Sequence, residues 1–452
     1  MALETWLIKV KRTIAHSLDS VRASPPPAAA AIRRSNVGVL AFEIAAVMSK
    51  LLHLWQSLSD KNLSRLRGES ICLEGVRKIV SNDDAFLLGL ACAELAGNLR
   101  LIAKSIARVS KKCEDASLRS FDRLFEEFAD AGRDRHGWLM ISAKEIDVKM
   151  KKLDQFVAST AALHREMDEL VALENGLKKS LQARDHHGSV KEHKIIELHQ
   201  KITWQRQQVK YMKEKSLWCR SFDTATSILA RTAFAVLARM KLVFGVAAAT
   251  TLPRSLSSSS SALVHPSENP NLFAAGPLMK DSQLKFFELN SEILKPPATT
   301  LGAAALYLHY ANLIIVMEKM IRSPQLVGVD ARDDLYSLLP NSVRFALRGR
   351  LKGVGFTASD PGLAAEWREA LHKILGWLSP LAHNMIKWQS ERSVEQQNLV
   401  PTTNVLLLQT LYFANQQKTE AAITELLVGL NYIWRFEREM NAKAIFHCSN
   451  IN

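Results

Sequence analysis

Glycine is scarce in this chain, with 19 among 452 residues, about 4% where roughly 7% is usual. Tight turns are therefore few, which argues against a β-sandwich and for a helix-rich chain. Cysteine is scarcer. Cys72, Cys92, Cys113, Cys219 and Cys448 are odd in number and hold no C-x-x-C spacing, so neither a disulfide framework nor a zinc module is indicated, and a reducing compartment fits best. No convincing period-2 strand pattern occurs. An uninterrupted apolar run behind the first basic residues is also missing, which excludes a secretory signal peptide.

The motifs of catalysis are missing as well. Gly349, Gly353 and Gly355 lie close together, but RGRLKGVGF fits neither G-x-x-x-x-G-K-[ST] nor G-x-G-x-x-G and reads as a loop. His186, His187, His193 and His199 lack the i, i+4 pairing around a glutamate that a zinc-protease helix needs, and read as a solvated hairpin tip. There is no G-x-S-x-G elbow. The expectation is a non-enzyme without cofactor, metal or evident small-molecule substrate.

What is present is an ordinary globular composition, 47% hydrophobic and 23% charged, long enough for two or three domains. Its one departure is charge: 59 Lys+Arg against 45 Asp+Glu give +14 and a pI near 9.5, which favours acidic or polyanionic partners. The basic clusters Lys9-Val10-Lys11-Arg12, Lys149-Met150-Lys151-Lys152 and Arg344 through Lys352 are dispersed. Solvated helix faces explain them better than a nucleic-acid groove with interleaved aromatics.

Residues 1–35 form a basic amphipathic arm. Six Lys/Arg face two acids, and Leu3, Leu7, Val10, Ile14, Leu18 and Val21 recur at helical spacing before Pro25-Pro26-Pro27, a pattern that suits packing on the body, with a transit peptide or a membrane-surface helix as alternatives. The first helical domain spans 36–248. In it, Ser81 and Asp84 precede an apolar face at Leu88, Ala91, Leu95, Ile102, Ile106 and Val109 that ends at Lys111-Lys112, so cap, period and terminal cations agree on a helix. Apolar steps of three and four run from Ile146 to Leu181 and from Ile195 to Met212 around the turn signal Asp185-His186-His187-Gly188-Ser189. These predict an antiparallel helical hairpin packed inside one domain in preference to an intermolecular coiled coil. Ile228 to Val246 carries Arg231, Arg239 and Lys241 among apolar residues and suits packing in the domain better than lying on an anionic membrane.

From 249 to 297 the composition changes. Ser257 through Ser261 are consecutive, and six of the fourteen prolines fall here, so the segment reads as a Ser/Pro-rich linker. A second helical domain follows over 298–446, punctuated by Pro340, Pro361, Pro380 and Pro401. Ala298 to Met317 carries no formal charge, but Thr299, Thr300, His309 and Asn312 make it a buried helix in place of a membrane span. The fold class is thus all-α, two helical domains of hairpin or bundle type.

The longer segments resemble the plant PSK-simulator family. In the first half these are VGVLAFEIAAVMSKLLHLWQSLSD from Val37, FLLGLACAELAGNLRLIAKSIARVSKKC from Phe86 and TWQRQQVKYMKEKSLWCRSFD from Thr203. In the second they are LGAAALYLHYANLIIVMEKM from Leu301, ARDDLYSLLPNSVRFALRGRL from Ala331, WLSPLAHNMIKWQSERSVE from Trp377 and LLLQTLYFANQQKTEAAITELLVGLNYIWRFE from Leu406. The resemblance implies paired domains of unknown function in a nuclear promoter of growth, linked to phytosulfokine peptide-hormone signalling and without enzymatic activity. Longer members begin Met-Gly and look N-myristoylated. This chain begins Met1-Ala2, so that anchor does not carry over.

One polar constellation stands out, namely His309 with Asn312 on the apolar helix, and His383, Asn384, Trp388, Glu391 and Arg392 on another. The three-residue spacing of the first pair places both on one helix face. A ligand pocket or peptide groove is one reading, and a hydrogen-bond network that fixes helix register is the favoured one. The sequence therefore predicts a nuclear regulator acting through protein partners. A basic protein associating with nucleic acid and an adaptor on an anionic membrane surface are the alternatives.

Overall fold

The computed structural model describes residues 36–139, 142–182, 190–245, 285–323, 328–352, 358–392 and 405–449. The arm over 1–35, the serine run and Pro401 lie outside the described residues, as do Gly353, Gly355, His186 and His187. Within them the fold is all-α, with two isolated β-bridges, Asn36 to Ser221 and Thr300 to Asn415, and no strand.

The first half comprises α1 (Ala41–Ser57), α2 (Asp60–Arg65), α3 (Glu74–Ile79), α4 (Asp84–Ser110), α5 (Ala116–Arg119), α6 (Phe121–Ala131), α7 (Ala143–Gln182), α8 (Val190–Lys215) and α9 (Phe222–Val243). Helix α4 starts where a cap permits. The Asp83 carboxylate accepts from the Ala85 N–H at 2.8 Å, and the expected cap Ser81 instead accepts from Asp83 N–H at 3.1 Å. Helices α1, α4 and α9 pack together with α7 across them, enclosing Ile44, Met48, Leu51, Leu99, Ile106, Leu229 and Leu237. Phe121 and Phe125 stack at one end of this core, and Phe234 meets both edge-on. Helices α7 and α8 pair along their length as an antiparallel hairpin. Gln205 is buried between them and donates to the Glu166 carbonyl at 3.0 Å and to its carboxylate at 2.7 Å.

The basic helix α9 lies in the core. Phe234, Val236, Leu237 and Met240 are buried, and Lys241 donates to the carbonyls of Phe128 at 3.1 Å and of Ala129, closing the C-terminal end of α6. Burial pushes the Lys241 ammonium below its ordinary range. Gly38–Ser57 and Asp84–Ser110 are long and apolar enough to cross a membrane by length and composition, and 44% and 56% of their most apolar windows is buried inside the protein.

The second half comprises α10 (Phe286–Ile293), α11 (Tyr307–Arg322), α12 (Val329–Leu338), α13 (Asn341–Leu351), α14 (Pro361–Arg392) and α15 (Gln416–Ser449). Helices α11, α14 and α15 enclose Tyr310, Ile314, Met317, Leu378, Leu381, Met385 and Leu426.

Three expectations are corrected here. The segment read as linker gives way to helix at α10, because Phe286 and Phe287 bury in the first-half core and the Phe286 N–H is capped by Asp130 at 2.9 Å. The buried helix expected from Ala298 begins only at Tyr307. Residues before it pair backbone with a distant segment, Leu301 N–H to Ala414 O at 2.9 Å and Gly302 N–H to Tyr412 O at 2.8 Å, so their donors are not free for a helix. Pro380 does not punctuate; α14 runs through it, with the exposed ring on the solvent side, away from the packed face of the helix.

The two halves touch closely. A methyl group on Gly75 of α3 would meet the Trp377 carbonyl at 2.3 Å and Leu381 at 2.5 Å, while Gly89 inside α4 has nothing within 4 Å. Gly75→Ala should therefore destabilise by about 1–3 kcal/mol, and Gly89→Ala should stabilise by about 0.5–1 kcal/mol. Calorimetric melting of both variants checks the contrast.

Candidate functional site

The constellation predicted from sequence separates into three places. His309, half-buried on α11, has Nε2 at 2.8 Å from the Leu338 carbonyl, the end of α12, and acts as a C-terminal tie for that helix. Asn312 shares the helix but is exposed. Neither approaches His383.

His383 pairs instead with Glu318, six residues beyond Asn312 on α11, Nε2 to Oε2 at 2.7 Å. The other carboxylate oxygen accepts from Arg322 at 2.6 Å. The Glu318 side chain is 9% exposed and that of His383 47%. Burial works against the Glu318 charge, but the Ser379 hydroxyl, the hydrogen bond and charge of His383 and the charge of Arg322 outweigh it and hold the carboxyl below its ordinary range. An imidazole oriented by a carboxylate is half of a catalytic arrangement. The Ser379 hydroxyl, one turn before His383 on α14, lies beside the same Glu318 carboxylate, and among the described residues no three metal-ligating side chains converge.

The third place is the seam between the halves. The Asn384 amide donates to the Gln409 carbonyl at 3.2 Å. The Trp388 indole N–H donates to Glu94 Oε1 at 3.0 Å, and the Leu407 backbone N–H to Glu94 Oε2 at 2.6 Å. Glu94 is 6% exposed in the middle of α4, surrounded by Leu87, Leu90 and Ala91 together with Leu407, Leu408 and Phe413. Glu391 is half-buried near the end of α14, and the Arg392 side chain lies outside the described residues.

Glu94 was missed by sequence reasoning although a signal existed. It is the lone charge between Asp84 and Arg100 in FLLGLACAELAGNL, and a charge in a core helix face calls for a partner. Two further carboxylates without such a signal cross-link the second half. Glu420 accepts from the buried Tyr310 hydroxyl at 2.8 Å; burial first, and then this carboxylate, raise the Tyr310 phenol well above its ordinary range. Glu439 accepts from the Ser359 hydroxyl and from the Ala358 N–H at 3.0 Å, and with Lys443 nearby its carboxyl is pulled down to about 2.

Two open concavities lie elsewhere, on the α7–α8 hairpin. One is lined by Ile196, His199, Gln200, Thr203, Trp204 and Gln207; the other by residues including Glu174, Leu177, Leu181 and Arg206. His199 borders both, and no carboxylate bonds it into a catalytic pair among the described residues.

Residues 39–95 match a domain of unknown function, DUF3475, and residues 300–387 match a protein family of unknown function, DUF668. The contact of Gly75 with Trp377 and Leu381 joins one matched segment to the other. Three proteins of Arabidopsis thaliana are similar along most of the chain. Protein PSK SIMULATOR 3 is 25% identical over 435 residues, 93% of this chain and 60% of its own length. Protein PSK SIMULATOR 1 is 24% identical over 94% of this chain and 60% of its own, and Protein PSK SIMULATOR 2 is 26% identical over 90% and 61%. The chain thus spans about three fifths of the length of these relatives. No solved structure matches it.

Two outcomes follow. Glu94→Ala strands two donors at the seam and should cost about 2–4 kcal/mol, lowering the denaturant midpoint of both halves together when followed by circular dichroism; Trp388→Phe, which removes one donor, should cost about 1–2 kcal/mol. The lowered Glu318 carboxyl stabilises the fold above the ordinary carboxylate range, and that contribution is lost as pH falls through the lowered value. Glu318→Gln should therefore melt below the wild type at about pH 7, and the gap should narrow as pH falls below the ordinary carboxylate range.

Proposed function

From a chain that belongs to the plant PSK-simulator family, we propose a non-enzymatic regulator of growth that acts in the nucleus by protein–protein contact, on a route linked to phytosulfokine signalling. The names of the relatives supply the hormone link. Of the polar groups singled out, His309 ties a helix end, His383 pairs with Glu318, and Asn384 and Trp388 bond at or beside the seam.

The observation that carries the contact mechanism is the outer face of α13. Phe345 is 82% exposed, far more than a core-forming aromatic tolerates, on a helix with no acidic residue. Arg348 and Gly349 follow it by three and four residues and share its face. Arg350 is neutralised by Glu425 at 2.7 Å. Arg344 and Arg348 are held by neutral groups instead, the Ser337 carbonyl and the Tyr336 hydroxyl at 3.1 Å, so their charge stays available at the surface. An aromatic anchor ringed by arginines fits a partner segment that offers an apolar residue next to carboxylates.

Proximity labelling in plant cells with the tagged full-length chain, imaged for location, tests the proposal. The expected result is a nuclear signal with signalling or regulatory neighbours, and loss of some of those neighbours with Phe345→Glu while melting is unchanged, as befits an exposed position. A label confined to an organelle or the plasma membrane overturns the nuclear role. Purified protein binding DNA or RNA with affinity falling steeply in salt would replace the protein-partner mechanism by the nucleic-acid one.

A further inference from the structure

The corner between α12 and α13 gathers hydrogen-bond donors that lack acceptors. Arg344 and Arg348 stand one turn apart on α13, and both lean on Tyr336 of α12. The Arg344 guanidinium lies 5.3 Å from the Tyr336 ring centre, and Arg348 Nε lies 3.1 Å from the hydroxyl oxygen. One Nη of Arg344 donates to the Ser337 carbonyl. Its Nε is buried and meets no acceptor among the described residues. Among them the Nη groups of Arg348 and the proton of the Tyr336 hydroxyl also meet none. A buried donor without an acceptor is costly and calls for an account.

The two charges are equally unanswered. Among the described residues no carboxylate forms an ion pair with Arg344 or Arg348, while Arg350, on the other flank of α13, is taken by Glu425. Ser337 and Tyr336 already fix both guanidinia in place, so little side-chain freedom is lost when an anion arrives.

We propose that this corner binds the phosphate of a phosphorylated peptide segment, which, granted the contact role of the Phe345 face, belongs to the partner that docks there. Charge and donor count select phosphate over a lone carboxylate. A phosphomonoester carries about −1.5 to −2 near pH 7 on three acceptor oxygens, enough for both guanidinia and the Tyr336 hydroxyl. A carboxylate carries one charge on two oxygens and leaves one arginine unmet. Arginine clusters are a recurring means of reading phosphorylated motifs.

The surroundings set the direction of approach. Asp333, three residues before Tyr336 on α12, is exposed, and its charge repels an anion arriving over that helix. Helix α13 has no acidic residue. Phe345, 82% exposed, lies about 60° around α13 from Arg348 and about 4.5 Å back along the axis. A segment crossing α13 therefore sets its phosphate on the arginines and an adjacent apolar side chain on the phenyl ring.

An array of short peptides centred on serine, threonine or tyrosine, each also in phosphorylated form and with glutamate in that place, is probed with the full chain, and the strongest spots are titrated by fluorescence polarisation. Phosphorylated peptides should bind about tenfold or more tighter than their glutamate forms. Their affinity should rise about threefold or more from pH 5 to pH 7, because the second phosphate proton, with a pKa near 6, leaves in that interval. Arg348→Gln should weaken binding about tenfold and Arg348→Lys should restore only part of it, with melting unchanged because the side chain is exposed. Glutamate peptides that bind as tightly as phosphorylated ones overturn the phosphate site and leave an acidic partner at the Phe345 face standing. Absence of any phosphopeptide that depends on Arg348 overturns the site, whereas the contact role of that face stands or falls separately on the cellular neighbours lost with Phe345→Glu. Vesicles of phosphatidylserine that bind through Arg348 when no phosphopeptide does would assign the corner to a lipid headgroup and overturn the peptide.

Discussion

A carboxylate withdrawn from water has to be met by donors, and in this protein that requirement reaches across the whole chain. Glu94 stands in the middle of α4 with its two oxygens on the Trp388 indole and the Leu407 N–H, groups 294 and 313 residues further along. Leaving either donor or the carboxylate unmatched would cost more than a whole surface ion pair contributes. The second half is therefore held on the first in one register. The close approach of Gly75 to Trp377 is possible only in that register, and the stacking of Lys78 over the Trp377 ring at 5.0 Å belongs to the same contact.

With α14 placed by the seam, its remaining polar residues have little choice. Asn384 meets the turn that carries Leu407, and His383 one side around the helix meets Glu318 of α11. Polar groups that look like a site in sequence are thereby consumed in holding helices together. What is left exposed is what the core does not need: the Phe345 face of α13 in the second half, and the uncharged stripe of α8 through Ile196, Trp204 and Tyr211 in the first. These surfaces lie on different halves and differ in character. One is aromatic and basic; the other is uncharged.

Much of the secondary structure was legible because helix periodicity is local. The apolar steps from Ile146 to Leu181 and from Ile195 to Met212 identified α7 and α8, and the run from Leu88 to Val109 identified α4. The failures have a common cause. Ala298 to Leu306 is uncharged and apolar enough for a helix, but its backbone donors are claimed by Tyr412 and Ala414. Phe286 and Phe287 sit at the end of a Pro- and Ser-rich stretch, and only the pocket left between α4 and α6 makes them helix. Pro380 is tolerated because its ring faces water.

The candidate residues show the same division. His309, Asn312, His383, Asn384, Trp388, Glu391 and Arg392 were singled out by residue type and spacing, and four of the seven, His309, His383, Asn384 and Trp388, have a described bond to another segment; their partners were not to be found that way. Sequence by itself determined that the chain is helical, where most helices lie, that no catalytic motif is present, and which family it resembles, since each of these rests on local periodicity or on short runs of residues. Tertiary structure alone decided that His309 and His383 stay apart, that Glu94 is the hinge of the seam, and that Trp204 and Phe345 face outward. Burial and hydrogen-bond partnership belong to pairs of residues far apart in the chain, and such pairs come together only when the helices have packed.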